Sequence, residues 1–209
     1  MYTHTLDFVE NGNRKNAERV VILLHGRGST AEGILGLKNH LELGNAWLIA
    51  PQATQRTWYP YSFMHAVEAN EPALSSALTV LDELVEQIEK EGFTKKQIFW
   101  LGFSQGACLA LEYIATRAEA YGGVVAFTGG LIGQTLVASR YTKSLLATPI
   151  LITSGDEDPH VPLARVYATR DQLQSQHALV HMEIYPDKPH SISPDETFLA
   201  NKLIFNPKE

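Results

Sequence analysis

The 209-residue sequence predicts an α/β protein: a doubly wound, mostly parallel sheet with helices on both faces. Two observations carry that expectation. Short apolar runs rich in β-forming residues alternate with helical stretches along the whole chain. The runs are also continuously apolar rather than alternating, as strands buried on both faces of a parallel sheet must be.

Taken in order, an extended piece around residues 3–9 would add an antiparallel edge. Arg19-Val20-Val21-Ile22-Leu23-Leu24 is the first buried strand and Ala46-Trp47-Leu48-Ile49-Ala50 the second. A long helix follows, with Leu74, Leu78, Leu81, Leu84, Val85 and Ile88 on one face. Pro72 suits its first turn and Gly92 its C-terminal stop. Gln97-Ile98-Phe99-Trp100-Leu101, Gly123-Val124-Val125-Ala126-Phe127 and Pro149-Ile150-Leu151-Ile152-Thr153 read as further strands, and residues 180–185 as the last. Ser193-Pro194-Asp195-Glu196 is a capping box with proline at the first helical position, so a final helix should cover residues 194–205. No repeat, low-complexity tract or linker divides the chain, and one domain over residues 1–209 is expected.

Composition narrows the function. Lys and Arg number 17 against 23 Asp and Glu, a formal charge of -6 with no basic cluster, which argues against nucleic acid and anionic membranes as partners. The single cysteine, Cys108, rules out an internal disulfide and fits a reducing compartment. The N-terminal residues lack both a basic segment and an apolar stretch, and no run approaches membrane-spanning length. Cytoplasm is the default expectation.

The most informative motif is Gly102-Phe103-Ser104-Gln105-Gly106, wedged between a strand and the helical run that starts at Ala107. A G-x-S-x-G in that context is the nucleophile elbow of an α/β-hydrolase. The turn strains the serine and holds it above the sheet, and the glycines two residues either side supply the missing side chains that the crowding demands. A serine hydroxyl is a weak nucleophile until a base takes its proton, so the rest of a triad should lie after other strands.

Eight histidines are available. His4, His40, His65 and His177 sit near the terminus or in polar loop and helix-end surroundings, and His181 is out of phase with the apolar side of its strand. His25, His160 and His190 all follow strands. In this fold the triad runs serine, acid, histidine along the chain, and His190, between the last strand and the capped helix, is the histidine in that place. For the acid, Gly155-Asp156-Glu157-Asp158-Pro159 offers three carboxylates. Asp158 is chosen over Asp156 and Glu157 because Pro159 constrains its turn and Pro162 opens the next helix. His25-Gly26-Arg27-Gly28, after the first buried strand, is the turn whose backbone N–H helps to bind an oxyanion; Arg27 and Gln105 would be the two donors. Neither G-x-G-x-x-G nor a Lys-Ser/Thr P-loop is present to suggest phosphate binding instead.

The chain resembles the phospholipase/carboxylesterase family, whose members include acyl-protein thioesterases. The resemblance rests on His25-Gly26-Arg27-Gly28, Gly-Phe-Ser-Gln-Gly around Ser104, Asp158-Pro159-His160-Val161-Pro162 and His190, with Trp58-Tyr59-Pro60 similar to the family's aromatic loop beside the acyl pocket. It implies serine esterase or thioesterase chemistry on small to medium acyl groups, no cofactor or metal, and little or no lid domain. Arg27 and Ser29 stand where eukaryotic thioesterases commonly have Leu and Asp, and Pro60 where an Asp is frequent. An arginine at the pocket mouth speaks against a long-chain lipid and hints at a polar or charged group near the ester.

The expected reaction is a two-step acyl transfer by Ser104, His190 and Asp158. Trp58, Tyr59, Phe63 and Leu131 would wall the substrate pocket, though each could equally be a core residue. The ligand expected is a small-molecule ester or thioester; a homodimer is possible but not derivable. Cys108 reads as a small buried hydrophobe. The rival readings are a catalytically silent member of the fold that binds a small ligand, and a metal enzyme using His160, His177 and His181, for which no ligand spacing speaks.

Overall fold

The computed structural model describes residues 2–206. Seven strands form one sheet: β1 (Phe8–Asn11), β2 (Arg19–Leu24), β3 (Ala46–Pro51), β4 (Ile98–Phe103), β5 (Gly123–Phe127), β6 (Pro149–Gly155) and β7 (Leu179–Tyr185). Their spatial order is β1-β3-β2-β4-β5-β6-β7. All neighbours pair in parallel except β1, which runs antiparallel to β3. The expected antiparallel edge is therefore real but starts later than residue 3. Before it, the Tyr2 hydroxyl donates to the Thr57 carbonyl at 3.0 Å, and the His4 ring bonds the segment after β3.

Two layers of helix cover the sheet. Helices α2 (Ala73–Lys90), α3 (Gln105–Arg117) and α4 (Leu163–Ser175) pack on one face, and α1 (Ala31–Leu35) and α5 (Pro194–Ala200) on the other. The sequence of β2 shows why the strands are apolar throughout: Val20, Ile22 and Leu24 enter the first core, while Val21 and Leu23 enter the second. The predicted stripe on α2 is fully used, since Leu74, Leu78, Leu81, Leu84, Val85 and Ile88 are all buried. Each such side chain contributes roughly 1.5–3 kcal/mol of burial. Gly92 ends that helix at φ +97°, a conformation that costs a residue without Cβ nothing.

The final helix departs from its expected course. The capping box forms as read, with Ser193 Oγ accepting from Glu196 N–H and Glu196 Oε2 from Ser193 N–H at 2.7 Å. After Ala200, however, Asn201–Phe205 widens into a π-turn. Asn201 is tied to the segment after α1, accepting from Glu42 N–H and donating to the His40 carbonyl, and the wider turn lays Ile204 and Phe205 into the second core. Tertiary packing has overridden the regular helical period here.

Every parallel strand delivers its following loop to the same end of the sheet. The loop after β5 is held there by a buried charge. Glu112, on α3 and without exposed surface, accepts from Ile132 N–H at 3.0 Å, from the Tyr141 hydroxyl at 3.0 Å and from Arg140 Nη2 at 2.6 Å. Burial pushes the Glu112 carboxyl above its ordinary pKa, against the pull of Arg140. Arg140→Met, which strands this carboxylate, should cost about 3–5 kcal/mol of stability in urea unfolding, the usual penalty for breaking a buried ion pair. A loss below 1 kcal/mol would show the pair to be dispensable.

Candidate active site

Ser104 stands between the last residue of β4 and the first of α3, at φ 53° and ψ -117°. A non-glycine residue there carries strain of order 1–3 kcal/mol. The turn survives because its neighbours over-determine it. Ser104 N–H donates to the Phe127 carbonyl of β5 at 3.0 Å, and its carbonyl accepts from Cys108 N–H at 3.0 Å. A Cβ on Gly102 would collide with the Gly106 carbonyl and Ala107 N, and one on Gly106 with the carbonyls of Leu24 and His25. Both glycines are required by close backbone approach rather than by their own dihedral angles.

The three residues expected to form a triad meet. His190 Nε2 lies 2.8 Å from Ser104 Oγ, and His190 Nδ1 lies 2.6 Å from Asp158 Oδ2. The other oxygen, Asp158 Oδ1, accepts from His160 N–H at 2.8 Å and Val161 N–H at 3.0 Å. Burial opposes the charge on Asp158, but the hydrogen bonds from His190 and from these two amides outweigh it, and its pKa lies below the ordinary carboxylate value. An ionised carboxylate only accepts, so the ring proton must sit on Nδ1, leaving the Nε2 lone pair facing the serine hydroxyl. The arrangement can draw the proton off Ser104. Asp156, the alternative acid, instead accepts from Asp187 N–H at 2.9 Å and so ties two loops together.

His190 also has support that the sequence did not suggest. Two residues earlier, Lys188 is buried, donates to the Ser191 carbonyl at 2.6 Å and lies 3.2 Å from the buried Glu196 carboxylate. Glu196 is the capping-box residue of α5 and also accepts from Thr153 of β6. The histidine loop is thus pinned to both α5 and the sheet. The capping box was readable; that its carboxylate would reach a lysine across the loop was not.

A cavity of about 560 Å³ opens beside Ser104. Arg27, Tyr59, Phe63, Cys108 and Val161 line it together with Ser104 and His190. Tyr59 and Phe63 stand where the sequence reading put them, and two other expected wall residues do not. Trp58 is fully buried behind the loop, its Nε1 donating to the His25 carbonyl at 2.9 Å. Leu131 is fully buried too: Arg165 Nη1 takes its carbonyl at 2.9 Å and Thr169 Oγ1 its N–H at 3.0 Å, which draws it beneath α4. Cys108 is the buried residue expected; burial pushes its thiol up to about 12. His160, one of the three histidines expected after strands, packs its ring 4.8 Å from that of His190 and lines the pocket.

The Arg27 side chain lines the cavity mouth, as the sequence suggested, and also holds a loop. Its guanidinium donates to Thr57 Oγ1 and to the Pro60 carbonyl, both at 2.9 Å, and to the Tyr61 carbonyl at 2.6 Å. Three of its N–H groups thus hold the 57–61 loop, while the guanidinium still lines the pocket mouth. That loop is also held by the Gln105 side chain, whose Oε1 accepts from Trp58 N–H at 2.9 Å and whose Nε2 donates to the Tyr59 carbonyl at 2.8 Å. The backbone amides of Arg27 and Gln105, by contrast, donate to no group among the described residues. Gln105 opens α3, where the helix dipole adds to the attraction for negative charge.

These features agree with what known proteins share with the chain. The phospholipase/carboxylesterase family model matches residues 4–204. The chain belongs to that family. A crystal structure of a phospholipase/carboxylesterase from Dyadobacter fermentans superimposes with a TM-score of 0.96 at 46% identity, covering 99% of each chain. Acyl-protein thioesterase 1 of Saccharomyces cerevisiae is 29% identical over 206 residues, 86% of this chain and 88% of that one. Esterase YpfH of Escherichia coli is 27% identical over 194 residues, 88% and 81% of the two chains. This family member is thus an enzyme of the carboxylesterase type with the α/β-hydrolase fold, and no helix among its described residues is long and apolar enough to cross a membrane.

Two histidines that catalysis does not need keep the 52–58 segment in place. His25 Nε2 accepts from Ala53 N–H at 3.1 Å while Nδ1 bonds the Gly26 carbonyl at 2.8 Å; His4 Nδ1 accepts from Thr54 N–H at 3.1 Å while Nε2 bonds the Trp58 carbonyl at 2.9 Å. Each ring must be neutral to accept, and burial lowers both pKa values from the ordinary 6.5. Their contribution to stability is complete above the unfolded-state value and is lost as pH falls through the lower folded-state value. Urea unfolding at about pH 7.5 and about pH 5 should therefore show lower stability in acid. His25→Gln, which keeps an acceptor for Ala53, should reduce that difference; an unchanged difference would remove His25 from the account.

Proposed function

We propose that the chain hydrolyses carboxylic esters of small to medium acyl groups, with thioesters as a second substrate class, through a covalent acyl-enzyme. The observation that supports this most is the unbroken line from Asp158 through His190 to the Ser104 hydroxyl, with bonds of 2.6 and 2.8 Å. His190 takes the serine proton as Ser104 attacks the substrate carbonyl, and Asp158 holds the ring tautomer and balances the imidazolium. The Arg27 and Gln105 amides, neither of which has an acceptor among the described residues, receive the oxyanion that forms; one such donor is worth about 2.7–4 kcal/mol in the transition state. Collapse expels the alcohol or thiol, protonated by His190. Water then attacks the acyl-serine by the same route and releases the acid. Tyr59, Phe63 and Val161 give the acyl group apolar walls, and Cys108 bounds the pocket as a small, protonated side chain. Small to medium acyl groups suit a cavity of about 560 Å³.

Ser104→Ala should lower hydrolysis of p-nitrophenyl acetate or butyrate by at least about 10⁴-fold while leaving the circular dichroism spectrum intact. The wild-type chain should gain one fluorophosphonate adduct by intact mass and the variant none. Turnover that survives in Ser104→Ala would end the proposal. Asp158→Asn, which keeps the shape and reverses the ring tautomer, should cost kcat roughly 10⁴-fold with KM little changed.

A further inference from the structure

We propose that the outer edge of β7 pairs with β7 of a second copy of this chain, antiparallel and centred on Met182, to form a homodimer. The argument starts from which backbone groups β7 leaves free. β7 ends the sheet, with β6 on one side only. Leu179 N–H donates to the Thr148 carbonyl at 3.0 Å, and the Tyr185 carbonyl accepts from Asp156 N–H at 3.1 Å. N–H and C=O of one residue point to the same side of a strand, and the side alternates along it. Residues 179, 181, 183 and 185 therefore turn their backbone groups to β6. Those of Val180, Met182 and Ile184 turn outward, and among the described residues they have no partner.

Sheet edges are normally blunted by short strands, prolines, lysines or bulges. The opposite edge, β1, is four residues long and ends in Glu10 and Asn11. β7 is seven residues long, Leu-Val-His-Met-Glu-Ile-Tyr, with an unbroken register on β6 and neither proline nor lysine. Its order is chemically symmetric about the middle. A two-fold axis at Met182 sets Val180 opposite Ile184 of the second copy, two β-branched residues in a hydrogen-bonded pair. It sets Leu179, 63% exposed, opposite Tyr185. It also sets His181 opposite Glu183 in a non-hydrogen-bonded pair, where side chains approach most closely.

The symmetry doubles each of these contacts, and only this register sets an imidazole opposite a carboxylate. With the axis at Val180 or Ile184, only residues 179–181 or 183–185 would face one another, and His181 would lose Glu183. His181 and Glu183 already lie 3.6 Å apart within one chain, on the face away from α4, so pairing would complete a four-membered alternation of imidazole and carboxylate. Because partner strands run in opposite directions, the two cavities would open at opposite ends of the joined sheet and leave each other free.

Sedimentation velocity over a concentration series should show the wild-type chain passing from one chain to two. Met182→Pro removes an N–H that β6 does not use, and should yield a single-chain species that still hydrolyses p-nitrophenyl butyrate at the wild-type rate per chain. His181→Glu places two carboxylates opposite one another on both sides of the central Met182 pair and should weaken dimerisation about tenfold or more. His181→Lys should preserve or strengthen it. A wild-type chain that stays single at high micromolar concentration overturns the proposal, as does a dimer indifferent to His181→Glu. Should Met182→Pro fail to fold, the exposed His181 variants decide alone. Retained ester hydrolysis in these variants separates failure here from failure of the proposed function.

Discussion

One backbone turn governs the site. Ser104 lies at positive φ, which stands its hydroxyl above the sheet, and the turn fits only because Gly102, pressed against the start of α3, and Gly106, pressed against the end of β2, carry no Cβ. The same closeness has three consequences. It aims the serine at the end of the sheet where the loops gather, it begins α3 at Gln105 so that this amide faces the same space, and it brings Cys108 to the cavity wall one turn later. Ser104 N–H, bonded to Phe127, ties the turn to the neighbouring strand, so the strain is held by the sheet itself.

Around that turn, polar side chains are used mostly to position loops. Gln105 and Arg27 both reach over to the 57–61 loop, one through its amide and the other through its guanidinium. His4 and His25 hold the preceding stretch as neutral acceptors, and Lys188 with Glu196 holds the loop of His190. The Arg27 and Gln105 side chains hold the 57–61 loop, while their backbone amides have no partner among the described residues. A preorganised electrostatic site needs that division, because donors that are already fixed cost no reorganisation when charge develops.

Arg27 illustrates what reading from sequence could not supply. An arginine in a glycine-rich turn at a pocket mouth suggests a contact with substrate, and nothing local shows that it also braces a loop thirty residues away. Trp58 and Leu131 took the alternative the sequence left open: like Tyr59 and Phe63 they are buried in the core, but they do not reach the cavity wall. Tyr59 and Phe63, flanking the same loop, kept contact with the cavity. Nothing in the residue types separates these two outcomes.

Local physics made the strand–helix alternation, the two-sided apolar strands, the elbow glycines, the capping box and the chain order of Ser104, Asp158 and His190 legible in the sequence, because each depends on residues near one another or on the sheet's own rules. The convergence of these three side chains, the neutral states of His4 and His25, the Lys188–Glu196 pair and the π-turn at Asn201–Phe205 depended on tertiary structure. They rest on contacts between segments distant in the chain, whose distances and burial no local pattern encodes.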